Sequence, residues 1–332
     1  MEHNGQMTHI SSEIKQPKIA LPTAASRMTA DTPGLELSGR TVLVASDRSV
    51  MAHAVARVAA CLERVHGAIP TVLYVFDLSS YPVPPLLVEG LGAADDLLGD
   101  EAHDEQRRDV TTHLAGVVPE ATRWPVHVAA GVPAAQIVSY AERLNAALTV
   151  MGLRPHGRIE RAIRDETTLR VLRHAVSPVL AVLEVASELP RRIIVGVDFS
   201  RASVAAARAA LDIAAVGATL TLVHVEWPSD RTQAEEGETL VHEIGVAGAL
   251  ARVREYLSAQ TPDARRIVID TAMVRGSPSQ ELLAYAAAEN VDLIAVASRR
   301  HGSMKRLMLG SVTDEITRAA AVSLLVVPPL HG

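Results

Sequence analysis

"GVPAAQIVSYAERLNAALTVMG" (Gly131–Gly152) and "GSPSQELLAYAAAENVDLIAVA" (Gly276–Ala297) are two spellings of one phrase, 145 positions apart. Each opens with Gly-x-Pro, runs through a helix-length segment rich in Ala, turns on polar residues and closes in an aliphatic run. Proline in a first helical turn loses no N–H bond and presets φ, so it marks a helix start. An aliphatic run without alternation belongs to a strand covered on both faces, as in a parallel sheet. Helix followed by buried strand, written twice, decides the fold class.

The repeat extends in both directions. "RPHG" (Arg154–Gly157) and "RRHG" (Arg299–Gly302) keep the same offset. Upstream, "TVLVASDRS" (Thr41–Ser49) and "RIIVGVDFS" (Arg192–Ser200) are aliphatic strands ending in Asp-x-Ser, with Asp47 and Asp198 151 positions apart. The closing strands "VSPVLAVLEV" and "VSLLVVPPL" complete the pair. A near-constant offset of this kind means duplication. The boundary falls near Ser187–Pro190, which divides the chain into a mobile N-terminal tail (1–39), a first domain (40–188) and a second (189–332).

Each copy reads as five strands alternating with four helices. In the second, the spacing predicts strands over Ile193–Asp198, Thr219–Trp227, Arg266–Val274, Val291–Ser298 and Val322–Val327. Helices are predicted over Ser203–Gly217, with Gly217 as its stop, Leu240–Ala259, Ser279–Glu289 and from Ser311 to about Ala320. Ser49 and Ser200 are expected to cap the first helix of each copy. Alternation of this kind implies α/β architecture with a doubly wound parallel sheet and right-handed crossovers. Ligands of such sheets bind beyond the strand C-terminal ends, where the strand order reverses. Asp198 and the loop after Ser298 both lie at strand ends and are expected to share one site.

Composition narrows the classes. The 332 residues suit two domains; 48% are hydrophobic and 21% charged, and only 3% are aromatic, so the core must be Ala, Val, Leu and Ile. A net charge of −6 argues against a broad electrostatic grip on nucleic acid. Cys61 is the one cysteine, which excludes an intrachain disulfide and fits a reducing compartment, with the thiol as a buried helix residue. No apolar run reaches the ~18 residues of a membrane span, and the N-terminus has no apolar block of signal-peptide length. A cytoplasmic protein is expected, with neither membrane nor nucleic acid as partner. The 13 histidines show no metal-ligand spacing, and the equivalent pair His156 and His301 follows from duplication. No nucleophile–base pair stands out, so neither catalytic nor metal-binding residues are assigned.

"MKRLMLGSVTDE" (Met304–Glu315) carries the chemistry. A cationic, apolar run stops at Gly310-Ser311 and a helix-like segment follows. Ser311 reads as the N-cap, and Asp314-Glu315 as first-turn acids. Gly310 has no side chain to hold a ligand off the backbone. Free amides at a helix start, beside a hydroxyl, suit a phosphate. An ordinary capped helix would be spelled the same way, so the phrase alone leaves both readings open. Arg299, Arg300, Lys305 and Arg306 are either a solvated basic loop or a second hold on phosphate. The first copy writes "IERAIRDETTLR" (Ile159–Arg170) and sets Asp165-Glu166 where Gly-Ser stands, two carboxylates that would repel a phosphate.

An Asp after the first strand, a "VHV" second strand, Gly-x-Pro before the third helix and this loop together resemble the universal stress protein family, across nearly all of 41–329. The resemblance implies two tandem five-stranded parallel-sheet domains, Rossmann-like and of the adenine-nucleotide-binding type, and ATP binding in one branch. That branch carries Gly-x-x-Gly-x9-Gly-Ser/Thr. In "ASRRHGSMKRLMLGS" (Ala297–Ser311) the final Gly310-Ser311 stands, Ala297 and Arg300 replace the leading glycines, and Gly302 comes two positions late. By the resemblance, Gly196, Val197 and Asp198 face the adenosine part, and Val225 meets the base through its main chain. Val296, Ala297 and Gly302 line the loop with Arg299, and Gly310, Ser311 and Val312 hold the phosphates. ATP or another adenine nucleotide is the expected ligand, with Mg as a candidate companion.

In the first copy, "GLRPHGRIERAIRDE" (Gly152–Glu166) keeps one glycine, but Pro155 has no N–H to give, so this half is expected to lack ATP binding. Segment Asp77–Gln106, with its Tyr-Pro-Val-Pro-Pro run, differs from its counterpart and is either a cover over the first cleft or a free loop. The family's closing strands pair across a two-fold in dimers; in a tandem chain the two halves are expected to pair with each other, and a homodimer stays open. Three function classes follow: a stress-response module binding nucleotide through its second domain, with at most slow ATP hydrolysis; a nucleotide-free scaffold; and an enzyme, for which no catalytic residue speaks.

Overall fold

A computed structural model describes residues 32, 34–77, 100–153, 166–226, 238–298, 310–319 and 321–329, with backbone alone for 166 and 238–243. The first half holds strands β1 (Thr41–Ser46), β2 (Ile69–Asp77), β3 (Val126–Gly131), β4 (Leu148–Gly152) and β5 (Val179–Val182). Its helices are α1 (Val50–His66), α2 (Asp100–Ala115), α3 (Pro133–Arg143) and α4 (Glu166–His174). The second half repeats this with β6 (Arg192–Gly196), β7 (Thr219–Glu226), β8 (Val268–Arg275), β9 (Leu293–Ala297) and β10 (Ser323–Val327). Its helices are α5 (Arg201–Ile213), α6 (Glu238–Ala259), α7 (Pro278–Ala288) and α8 (Ser311–Ala319).

All ten strands join in one sheet, in the order β3-β2-β1-β4-β5-β10-β9-β6-β7-β8. Every neighbouring pair is parallel except β5 and β10, which run antiparallel with Leu180 opposite Leu325. The two five-stranded parallel sets are thus fused through their closing strands. Aliphatic edges left open invite pairing with another chain, and here each closes the other. Leu324 and Leu325 are fully buried, and the Leu183 amide donates to Ser323 Oγ at 3.2 Å. In each half the strand order reverses once, between β1 and β4 and between β6 and β9.

Local chemistry sets the helix ends. Ser49 Oγ accepts from the Met51 amide and Ser200 Oγ from the Ser203 amide, each at 3.2 Å. Pro133 and Pro278 open α3 and α7. Gly217 does not stop the Ala-rich helix as predicted. α5 ends at Ile213, and Gly217, at φ 74°, turns the chain beyond it while donating its amide to Arg265 O. α6 begins near its predicted start but breaks at Gly245, whose φ of 71° no helix accommodates. Cys61 is buried, as expected.

Residues 1–31 and 33 lie outside the described residues; at the end of the stretch read as a mobile tail, two leucines are packed. Leu35 and Leu37 are 6% and 4% exposed. The Leu35 amide donates to Asp212 Oδ2 of α5 at 2.7 Å, across 177 positions of sequence. A Cβ on Gly34 would come within 2.5 Å of that carboxylate oxygen, so glycine permits the approach. Tyr256 of α6 donates its hydroxyl to Thr32 O at 3.5 Å. Burial raises the Asp212 pKa, against the Leu35 amide and the charges of Arg208 and Arg265.

His66, in the last turn of α1, has an Nε2 atom buried without a hydrogen-bond partner among the described residues. Burial, then the Arg265 charge, pushes its pKa from 6.5 down to about 4. The unfolded chain therefore binds a proton that the folded chain refuses, and stability falls as pH drops from 6.5 to about 4. At about 1.4 kcal/mol per pKa unit, discounted for partial exposure, the loss amounts to roughly 1–3 kcal/mol. Urea unfolding at pH 7 and pH 5 should show this fall in the native chain and a smaller one in His66→Gln. An equal fall in both would acquit His66.

Candidate crevices at the strand ends

In the second half the ends of β6, β7 and β9 lie side by side. Gly196 closes β6, and a Cβ there would lie 3.0 Å from Leu282 Cδ1 of α7 and 3.4 Å from Val296 Cγ1. The glycine therefore lets α7 pack on the sheet. Val197 donates its amide to Val223 O at 2.9 Å, and its carbonyl accepts from His224 Nδ1 at 2.8 Å, which fixes that tautomer. Asp198 Oδ1 accepts from both the amide and the hydroxyl of Ser200, at 2.9 and 2.6 Å. Phe199, at φ 64°, tilts its ring against His224 with centroids 4.7 Å apart. The β6–β7 ladder ends at Gly196–Val223. By the two-residue alternation of a strand, the main-chain groups of Val225 point to the β6 side, beyond that end.

α8 enters this neighbourhood head first. The Gly310 carbonyl accepts from the Asp314 amide at 2.9 Å, so Gly310 holds the cap position and Ser311 is the first helical residue. This corrects the assignment of Ser311 as N-cap, because the cap is the residue whose carbonyl takes the first helical bond. The amides of Ser311, Val312 and Thr313 head the helix without intrahelical acceptors. Thr313 Oγ1 donates to Ala297 O at 3.5 Å and ties this head to the end of β9. The strand-end residues, among them Asp198, Val225, Val296 and Ala297, thus gather with Gly310, Ser311 and Val312 at one end of the sheet. Arg299 and Gly302 lie outside the described residues, as do Arg300, Lys305, Arg306, Pro155 and Asp165.

Asp314 turns sideways. Its Oδ1 accepts from Arg173 Nη2 of α4, in the other half, at 2.8 Å, and its Oδ2 from Arg318 Nε at 2.7 Å. Burial works against its charge, but the two guanidiniums outweigh burial and hold its pKa below the usual carboxylate value. Glu315 accepts from the Ser279 hydroxyl of α7.

The equivalent crevice of the first half is a cavity of about 470 Å³, lined by Asp47, Met51, Val75, Met151, Gly152 and Thr168 among others. Thr168 Oγ1 donates to Gly152 O at 3.3 Å, repeating the Thr313–Ala297 tie. Met51 lies directly over Gly152, where a Cβ would fall 2.1 Å from Met51 Cγ. The repeat puts Ala202 at the counterpart of Met51 and Ala297 at that of Gly152. By the repeat, the methyl added at Ala297 goes with a side chain shortened at Ala202. Sequence reasoning treated Ala297 alone and missed this exchange, although aligning the two copies displays it. It also missed Arg173, whose partner becomes visible only with the antiparallel joint. No group of three His, Cys, Asp or Glu among the described residues could hold a metal ion, and no helix among them is long and apolar enough to cross a membrane.

The chain matches the sequence family described as "Universal stress protein family" over residues 39–182 and again over 190–328. A universal stress protein of Mycobacterium tuberculosis is 26% identical over 213 residues, covering 59% of this chain and 66% of that protein. One of Mycolicibacterium smegmatis is 28% identical over 199 residues, covering 56% of this chain and 63% of its own length. The matched stretch thus spans just under two thirds of these relatives. A solved universal stress protein from Archaeoglobus fulgidus aligns over 87% of this chain and 98% of its own, at TM-score 0.61 and 21% identity, a likeness of fold.

Proposed function

Because the chain belongs to the universal stress protein family, we propose that it is a cytoplasmic stress-response protein that binds an adenine nucleotide, ATP foremost, through its second half, residues 189–332. The observation that carries this reading is the head of α8. Its first-turn amides open beside the end of β9, and the repeat sets Ala202 and Ala297 where Met51 covers Gly152 in the other half. Helix starts of this kind bind phosphate through N–H groups and the helix dipole. The phosphates would lie against Gly310, Ser311 and Val312, the ribose near Asp198, and the base against the main chain of Val225. Gly196, Val197, Val296 and Ala297 would form the wall, with Arg299 and Gly302 completing the loop. Mg, where present, would accompany the phosphates. The nucleotide acts as a signal carried by occupancy, with hydrolysis at most slow.

A nucleotide-free interaction module is the second reading, favoured by Asp314 in the first turn of α8, a negative charge close to where phosphate would sit. Thermal melting separates the two. A ligand at 100 times its dissociation constant stabilises by about 2.7 kcal/mol, so saturating ATP should raise the melting temperature of the full chain, and nucleotide should copurify with it. An unchanged melt at millimolar ATP would leave the scaffold reading.

A further inference from the structure

Arg173 sits on α4 of the first half, yet its guanidinium is spent on the second. It meets Asp314 at 2.8 Å, with side-chain exposures of 36% and 25%. The repeat makes Arg173 and Arg318 equivalent positions, so each half carries an arginine at the same point of its last helix. The counterpart of Asp314 is Leu169, 4% exposed, so α4 has no carboxylate at the matching position. Arg173 thus carries its charge across the β5–β10 joint.

The consequence falls on the head of α8. Its first turns carry Asp314 and Glu315 against Arg318, a net negative charge at the end whose dipole should attract an anion. Arg173 brings the sum over α8's own charged side chains and itself to neutral. We infer that Arg173 is a positioning residue for the nucleotide site: the first half lends it to hold Asp314 aside and cancel its charge, so that the head of α8 accepts phosphates. The inference rests on the proposed reading of α8 as the phosphate site. It gives the first half, which writes Asp165-Glu166 where the second writes Gly-Ser, a part in binding at the second.

The test uses the full chain, with ATP and adenosine as probes at fixed ionic strength, read by calorimetry. Arg173→Gln should weaken ATP binding by about fivefold, the size of one helix-end charge interaction, and leave adenosine binding unchanged. Arg173→Lys should retain most of the ATP affinity. Arg173→Gln combined with Asp314→Asn restores the local charge sum and should restore ATP affinity. Equal losses for ATP and adenosine would mean a merely structural role and overturn the inference. Unchanged ATP affinity in Arg173→Gln, or failure of the double variant to recover it, would overturn it too while leaving the nucleotide site standing. Absence of ATP binding in the native chain would overturn both.

Discussion

Gly310→Asp should abolish ATP binding while leaving the fold intact. Gly310 holds the cap position of α8, with its carbonyl taking the Asp314 amide, and aspartate is among the most favoured residues at that position. The helix should therefore form as well as before, and the melting temperature without ligand should match the native chain or exceed it slightly. The ligand meets the opposite situation. A new carboxylate ~5 Å from a phosphate, at an effective dielectric of ~20, repels each unit of its charge by about 3 kcal/mol. That corresponds to a loss of more than about 100-fold in affinity. Calorimetric titration of ATP into the variant checks the loss, and melting checks the fold. Retention of native affinity in a well-folded variant would move the phosphates away from α8.

Leu325→Ala should lower the unfolding free energy of the whole chain by about 2–5 kcal/mol, the range for a buried leucine cut to alanine. Leu325 is fully buried. It pairs with Leu180 across the antiparallel joint and with Ala295 of β9 on its other side. Truncation there removes packing from both halves, so both should unfold in one earlier transition. Denaturant unfolding in a Trp227→Phe background, followed at Trp124 in the first half and by far-ultraviolet dichroism, should give coincident midpoints, both shifted. A Trp124 transition left at its native midpoint while the dichroism splits would show the halves to be independent.

Most of the fold could be read from the chain because its signals are local. The Asp-x-Ser strand ends place Ser49 and Ser200 where their hydroxyls cap α1 and α5. Pro278 starts α7, and the aliphatic runs are the strands of a parallel sheet. What escaped depends on contacts far apart in sequence. Leu35 and Leu37 are two leucines in a polar stretch without period, and the carboxylate that receives the Leu35 amide is 177 positions away. Gly217 lies just past a helix, where a stop is usual, but its amide bonds to Arg265. At the site, Gly310 and Ser311 were legible as a helix head, whereas which of them caps it depends on where the first helical bond closes. The Met51-to-Ala202 exchange was written in the repeat and needed the Met51–Gly152 contact to acquire meaning. Arg173 carries no motif at all; it matters because the joint brings α4 beside α8.

The central claim is one nucleotide site per chain, built on the second half. Calorimetric titration of ATP into the full chain, freed of copurified nucleotide, tests it through stoichiometry. One ATP per chain is predicted. Two per chain would put a nucleotide in the first crevice in spite of Asp165 and Glu166, and none at millimolar ATP would contradict the claim outright.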